Sequence, residues 1–127
     1  MSARPHVLIV DDEPLLAASL RELLDDEFDV AVASTVAEGK DRLRAEPQMD
    51  VVLCDVHLND GTGIDLYRAW RELAPGHERR VVFCTGGNAS AALEAQMAGT
   101  GNVRLAKPFD LDELIRLLHR IADHQPS

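Results

Sequence analysis

The sequence predicts a doubly wound α/β fold, one parallel five-stranded sheet with helices on both faces. Three observations carry this reading. Short apolar runs alternate with amphipathic segments five times along the chain. The runs "HVLIV" (6–10), "DVVLCD" (50–55) and "RVVFCT" (80–85) are nearly continuous hydrophobes rich in Val, as strands buried on both faces are. The length of 127 residues suits one domain.

Each element has its own signal. After the first run, Pro14 suits the first position of a helix, and Leu16, Leu20, Leu23 and Leu24 trace one face of it. The second strand is "FDVAVA" (28–33). Ser34 or Thr35 caps the second helix, with Glu38 completing a Thr-x-x-Glu box; Gly39 lies inside this helix and Pro47 beyond its end. The third helix carries the stripe Leu66, Tyr67, Trp70, Leu73, Ala74. The fourth, around Ala89–Met97, is alanine-rich with few large apolar residues, which predicts weak packing and mobility. A weaker run, "VRLA" (103–106), gives the fifth strand. Asp110 caps the last helix, with Glu113 three residues on and Leu111, Leu114, Leu118 and Ile121 at helical spacing. The whole chain, 1–127, reads as one domain with its core over about 5–123 and a frayed tail at 124–127.

Hydrophobic content of 46% and charged content of 28% are ordinary for a globular protein. The net charge of −9 argues against direct binding to nucleic acid or to an anionic membrane. The basic clusters Arg79–Arg80 and Arg42–Arg44 read as solvated surface. No apolar run approaches the roughly 20 residues of a membrane span, and "MSARPH" lacks the apolar core of a secretory signal. Cys54 and Cys84 lie inside apolar runs, which favours buried free thiols in a reducing cytoplasm. Their spacing matches no zinc motif.

The chemistry collects at the strand ends. In an open parallel sheet, ligands bind beyond the carboxyl ends of the strands, and the order 2-1-3-4-5 makes the first and third strands neighbours. Asp11, Asp12 and Asp55 end those two strands. Two carboxylates about 4 Å apart repel by roughly 4 kcal/mol at an effective dielectric near 20, so three in one hollow require a proton or a cation. Oxygen ligands on short side chains suit a hard divalent ion, and Mg²⁺ best, since it takes few protein ligands and keeps its waters. The plainer alternative is that "DDEP" caps the first helix. Thr85 ends the fourth strand and Lys107 follows the fifth. Singly, Thr85 reads as a turn cap and Lys107 as a surface charge. Jointly, a carboxylate nucleophile, an ammonium, a hydroxyl and a cation make a phosphoryl-transfer site.

The motifs "LIVDDEP", "VVLCDVHLNDGTG", "VVFCTGG" and "LAKPF" resemble the receiver domain of two-component response regulators, over nearly the whole chain. The resemblance implies a flavodoxin-like (βα)5 fold. It implies that Asp55 is the phosphoacceptor, that Asp12, Asp55 and the backbone carbonyl of His57 ligate Mg²⁺ (with Mn²⁺ as a substitute), and that Asp11 acts through water. It further implies that Lys107 pairs with the phosphoryl oxygens and with Asp55, that Thr85 is the switch hydroxyl, and that the Lys107–Pro108 bond is cis. The donor and partner would be a histidine kinase or histidine phosphotransfer protein. The domain would assist its own phosphorylation and dephosphorylation without being a turnover enzyme. The family's usual contact face, available to a homodimer, is the fourth helix, fifth strand and fifth helix.

Two positions depart from the pattern. Arg104 stands where the family usually has an aromatic ring, and it either reaches an acidic partner or a phosphorylated neighbour or is a plain surface arginine. "TGNVRLAKPF" resembles receivers attached to hybrid sensor histidine kinases. His57 is expected at the pocket rim, Gly87 leaves the entrance open beside Thr85, and His6, His77, His119 and His124 read as surface residues. A phosphorylation-independent scaffold of the same fold is the alternative. A hydrolase with an Asp nucleophile would need an acid where His57 stands, and a flavin protein would need hydroxyls and glycines in the first loop.

Overall fold

A computed structural model describes residues 4–123; His124 and the tail expected to fray lie outside the described residues. The sheet is parallel throughout. Its strands are β1 (His6–Val10), β2 (Asp29–Ala33), β3 (Val51–Asp55), β4 (Val81–Thr85) and β5 (Arg104–Ala106), in the order β2-β1-β3-β4-β5. The helices are α1 (Pro14–Leu24), α2 (Val36–Ala45), α3 (Gly63–Leu73), α4 (Ala91–Thr100) and α5 (Leu111–Asp123).

Side chains alternate across a strand, so each buried strand feeds two cores. Leu8, Val10, Val52, Cys54 and Phe83 pack with Val36, Leu43, Leu66, Trp70, Leu93 and Met97 of α2, α3 and α4. Val7, Ile9, Leu53, Val82 and Cys84 pack with Ala17, Leu20, Leu24, Leu114 and Leu118 of α1 and α5 on the other face. Each such Leu or Val contributes about 1.5–3 kcal/mol by burial. The two cysteines are free and buried, one in each layer.

Several elements differ from the sequence expectation. Leu23 and Leu73 are 52% and 40% exposed. On α1 the buried stripe is Ala17, Leu20, Leu24, and Leu23 lies off it because neighbouring helix positions diverge by about 100°. Leu73 is the last residue of α3, beyond Trp70, whose indole N–H reaches the Pro47 carbonyl at 2.8 Å. The fourth helix runs three residues further than expected; Ser90 caps it through the Leu93 N–H at 3.1 Å, and Leu93 and Met97 are its buried residues. Arg80 is buried, donating to the carbonyls of Asp50 at 3.0 Å and Ala122 at 3.5 Å, so Arg79–Arg80 is not a solvated pair.

The histidines are also more than surface decoration. His6 lies between Glu46 (2.5 Å) and Asp29 (3.3 Å). His119 meets Glu27 at 2.9 Å and stacks on Phe28, and His77 stacks on Trp70. A lone histidine gives no sequence signal for such contacts, because its partners are brought up by other elements.

Candidate functional site

Parallel register assembles the site. β1 and β3 pair as Val10↔Cys54, so the next residues, Asp11 and Asp55, emerge side by side. β4 pairs with β3 as Cys84↔Asp55, and with β5 as Thr85↔Ala106. Lys107 follows immediately, its backbone N–H on the Thr85 carbonyl at 3.0 Å, and the Lys107–Pro108 bond is cis.

Asp11, Asp12 and Asp55 each bring one carboxylate oxygen to within 4.8 Å of the others. Asp11 is nearly covered, its side chain 5% exposed, and it also accepts the Glu13 N–H at 2.9 Å. Lys107 Nζ sits 2.9 Å from Asp11 Oδ2 and 3.4 Å from Asp55 Oδ2. The sequence-predicted pairing of Lys107 with Asp55 is therefore present, with a shorter bond to Asp11 alongside it.

The electrostatics follow from this crowding. Burial pushes the Asp55 carboxyl above its ordinary range; Lys107 and the His57 N–H pull it down, and Asp11 pushes it up again. For Lys107, burial favours the neutral amine, but the hydrogen bond and charge of Asp11, with Asp55 adding, outweigh it and hold the ammonium above its usual range. One ammonium faces three carboxylates. The donor set is all oxygen, on short side chains at one sheet edge, and that chemistry fits a hard divalent cation.

The remaining candidates lie on the same sheet strands or in the loops that follow them. The His57 side chain is exposed, as expected of a rim residue, and its backbone N–H reaches Asp55 Oδ1 at 3.2 Å. Thr85 Oγ1 accepts the Gly87 N–H at 3.1 Å, which is the turn-capping role. Gly87 adopts φ +87°, and a Cβ there would meet nothing within 4 Å, so that side is open. Arg104 on β5 is exposed and pairs with Glu94 of α4, an acidic neighbour within the chain.

Sequence reasoning missed the loop after Asp55. His57–Leu58 and Gly61–Thr62 form a two-residue antiparallel ladder. Thr62 and Asp65 form a capping box for α3. The signal was present as Thr-x-x-Asp before an apolar stripe. At the loop tip, Asp60 accepts the N–H groups of Val36 at 2.7 Å and Ala37 at 3.0 Å. Thr35 caps α2 through Glu38 N–H as expected, but the Glu38 carboxylate returns to Ser34 N–H and hydroxyl, not to Thr35.

Among the described residues no helix is long and apolar enough to cross a membrane. The model for the response regulator receiver domain matches residues 7–119. The photosynthetic apparatus regulatory protein RegA of Rhodovulum sulfidophilum is 36% identical over 115 residues, covering 90% of this chain and 61% of RegA. A receiver domain protein from Methanospirillum hungatei JF-1 superposes with a TM-score of 0.84 at 25% identity, covering 95% of each chain. A sensor protein from Polaromonas sp. JS666 superposes at 0.78 with 28% identity, covering 95% and 98%. The chain thus spans about three-fifths of its RegA relative. With the sheet order, the acidic hollow and the Lys107 bridge agreeing with the match over residues 7–119, the chain belongs to the response regulator receiver domains, the phosphoacceptor signalling modules of two-component systems.

Proposed function

We propose that Asp55 is the residue that accepts the phosphoryl group, from a phosphohistidine on a histidine kinase or phosphotransfer protein. The observation that carries this is Asp55 at the end of β3, 3.4 Å from Lys107 and grouped with Asp11 and Asp12. One Asp55 carboxylate oxygen attacks phosphorus. The bond from phosphorus to the donor nitrogen breaks, and its electron pair leaves with the imidazole. Lys107 offers a positive charge to the phosphoryl oxygens as they arrive, and Thr85, whose hydroxyl now faces the Gly87 N–H, supplies a hydroxyl at the hollow's edge.

Asp12, Asp55 and the His57 carbonyl would hold Mg²⁺, or Mn²⁺ in its place, with Asp11 engaged through water. When bound, the ion supplies positive charge that lets an anionic donor approach an anionic nucleophile. Asp11 holds Lys107 in place through their 2.9 Å bond. The exposed Leu15, and a hollow lined by Leu16, Leu20, Leu23, Phe109 and Leu111 with Lys107 at its edge, offer the donor protein an apolar footing beside the site.

The domain acts as a switch whose partner affinity follows its phosphoryl state. The likeness to the Polaromonas sensor protein supports attachment to a sensor protein, and the likeness to RegA supports a regulatory protein. The face of α4, β5 and α5 would serve self-association. The test is incubation with acetyl phosphate and Mg²⁺, read by intact mass. One added phosphate, absent in Asp55→Asn, is expected. Addition at another residue refutes the assignment.

A further inference from the structure

We infer that Asp60 is a positioning residue for the phosphoacceptor: it clips the loop after β3 to the start of α2 and so fixes the backbone that holds Asp55. This rests on Asp55 being the acceptor. The loop is closed at its base by Gly63 N–H on the Val56 carbonyl at 3.0 Å, while Val56 N–H bonds the Cys84 carbonyl at 3.0 Å. Between these lies the ladder His57↔Thr62 and Leu58↔Gly61, with Leu58 sunk into the core.

Two-residue ladders have little stability of their own. The tip needs an anchor, and Asp60 provides it through two N–H groups of α2. Those groups belong to the first turn of the helix, where backbone donors lack intrahelical partners and a carboxylate is favoured. The contact is tight: a Cβ on Gly61 would meet Asp65 Oδ2 at 2.5 Å and Val36 Cγ2 at 3.2 Å. Gly61 is thus wedged between the first turns of α3 (Asp65) and α2 (Val36), with no room for a side chain.

At the other end of the ladder, the His57 N–H bonds Asp55 Oδ1. Releasing the tip frees the ladder register and with it the donor that orients the nucleophile. Small misplacements of a reacting group have large rate effects.

The structure also supplies the control. Thr35 caps the same helix through Glu38 N–H at 3.1 Å, a bond made within α2 and its cap and independent of the two bonds to Asp60. Both Asp60→Ala and Thr35→Ala weaken the start of α2, but only the first releases the clip.

The experiment compares the wild-type chain, Asp60→Ala, Asp60→Asn and Thr35→Ala. The first readout is the initial rate of Asp55 phosphorylation by acetyl phosphate at saturating Mg²⁺. The second is metal-free amide hydrogen exchange at His57. Asp60→Ala is expected to slow phosphorylation about tenfold and to speed His57 exchange. Asp60→Asn, which keeps one acceptor oxygen, should fall between, and Thr35→Ala should match wild type in both. If Asp60→Ala does not fold, Asp60→Asn decides by the same comparison. Equal slowing by Asp60→Ala and Thr35→Ala, or no faster exchange at His57 when Asp60 is replaced, overturns the inference. Failure of the wild-type chain to take phosphate on Asp55 instead refutes the acceptor assignment, and the exchange measurement still judges the clip.

Discussion

Lys107 lies closer to Asp11 than to Asp55, 2.9 Å against 3.4 Å. The ammonium is thus parked on a carboxylate from β1 while staying within reach of the one from β3. It compensates two strands' charges at once. Lys107→Ala should lower Tm, because Asp11 loses its charged partner in a place water barely reaches, at about 1–3 kcal/mol. The same variant should take phosphate from acetyl phosphate far more slowly. Thermal melts and intact mass measure the two effects, and an unchanged Tm would contradict the bridge.

Divalent metal should stabilise the fold. A ligand present at 100 times its dissociation constant adds about 2.7 kcal/mol, which for a domain of this size is a Tm rise of roughly 10 °C. Millimolar Mg²⁺ should raise Tm in the wild-type chain and much less in Asp12→Ala. Equal responses in both would remove Asp12 from the metal set.

Asp55 should cost stability when ionised and metal-free. Its pKa is raised in the folded state, chiefly by burial. The folded chain then binds the proton more tightly than the unfolded chain does, so stability falls as pH rises from the ordinary carboxyl value of 3.8 through the folded pKa. Asp55→Asn mimics the protonated form. It should melt higher than wild type at neutral pH without metal, and the gap should close as the pH is lowered towards 4. Paired melts across that window check the sign.

The Arg104–Glu94 pair should be weak and salt-sensitive. Both side chains are about two-fifths exposed, and pairs of that kind typically contribute 0–1 kcal/mol. A double-mutant cycle with Arg104→Ala and Glu94→Ala should give a coupling in that range that fades in high salt. A larger, salt-independent coupling would mean that α4 is held mainly by this contact.

Much of the site was legible because it depends on strand register. Runs such as "VVLCD" and "VVFCT" declare buried parallel strands, and whatever ends them must share one edge. Asp11, Asp12, Asp55, Thr85 and Lys107 were found that way. What stayed hidden depends on partners far off in sequence. Nothing near Asp60 announces that its carboxylate caps α2, 23 and 24 residues back. Arg80 looked solvated because its acceptors, the carbonyls of Asp50 and Ala122, come from β3's approach and α5. Leu23 and Leu73 looked buried because helical spacing alone cannot say how wide the covered stripe is.

The two thiols carry a practical consequence. Cys54 and Cys84 sit on opposite sides of the sheet, one under α2, α3 and α4 and one under α1 and α5, and burial pushes both well away from the thiolate form. A disulfide within the folded chain would have to pass through the sheet itself. Each thiol is instead a silent probe of its own layer: a slow alkylating reagent would mark Cys54 when one side peels away and Cys84 when the other does, timing the two halves of unfolding separately in a single tube.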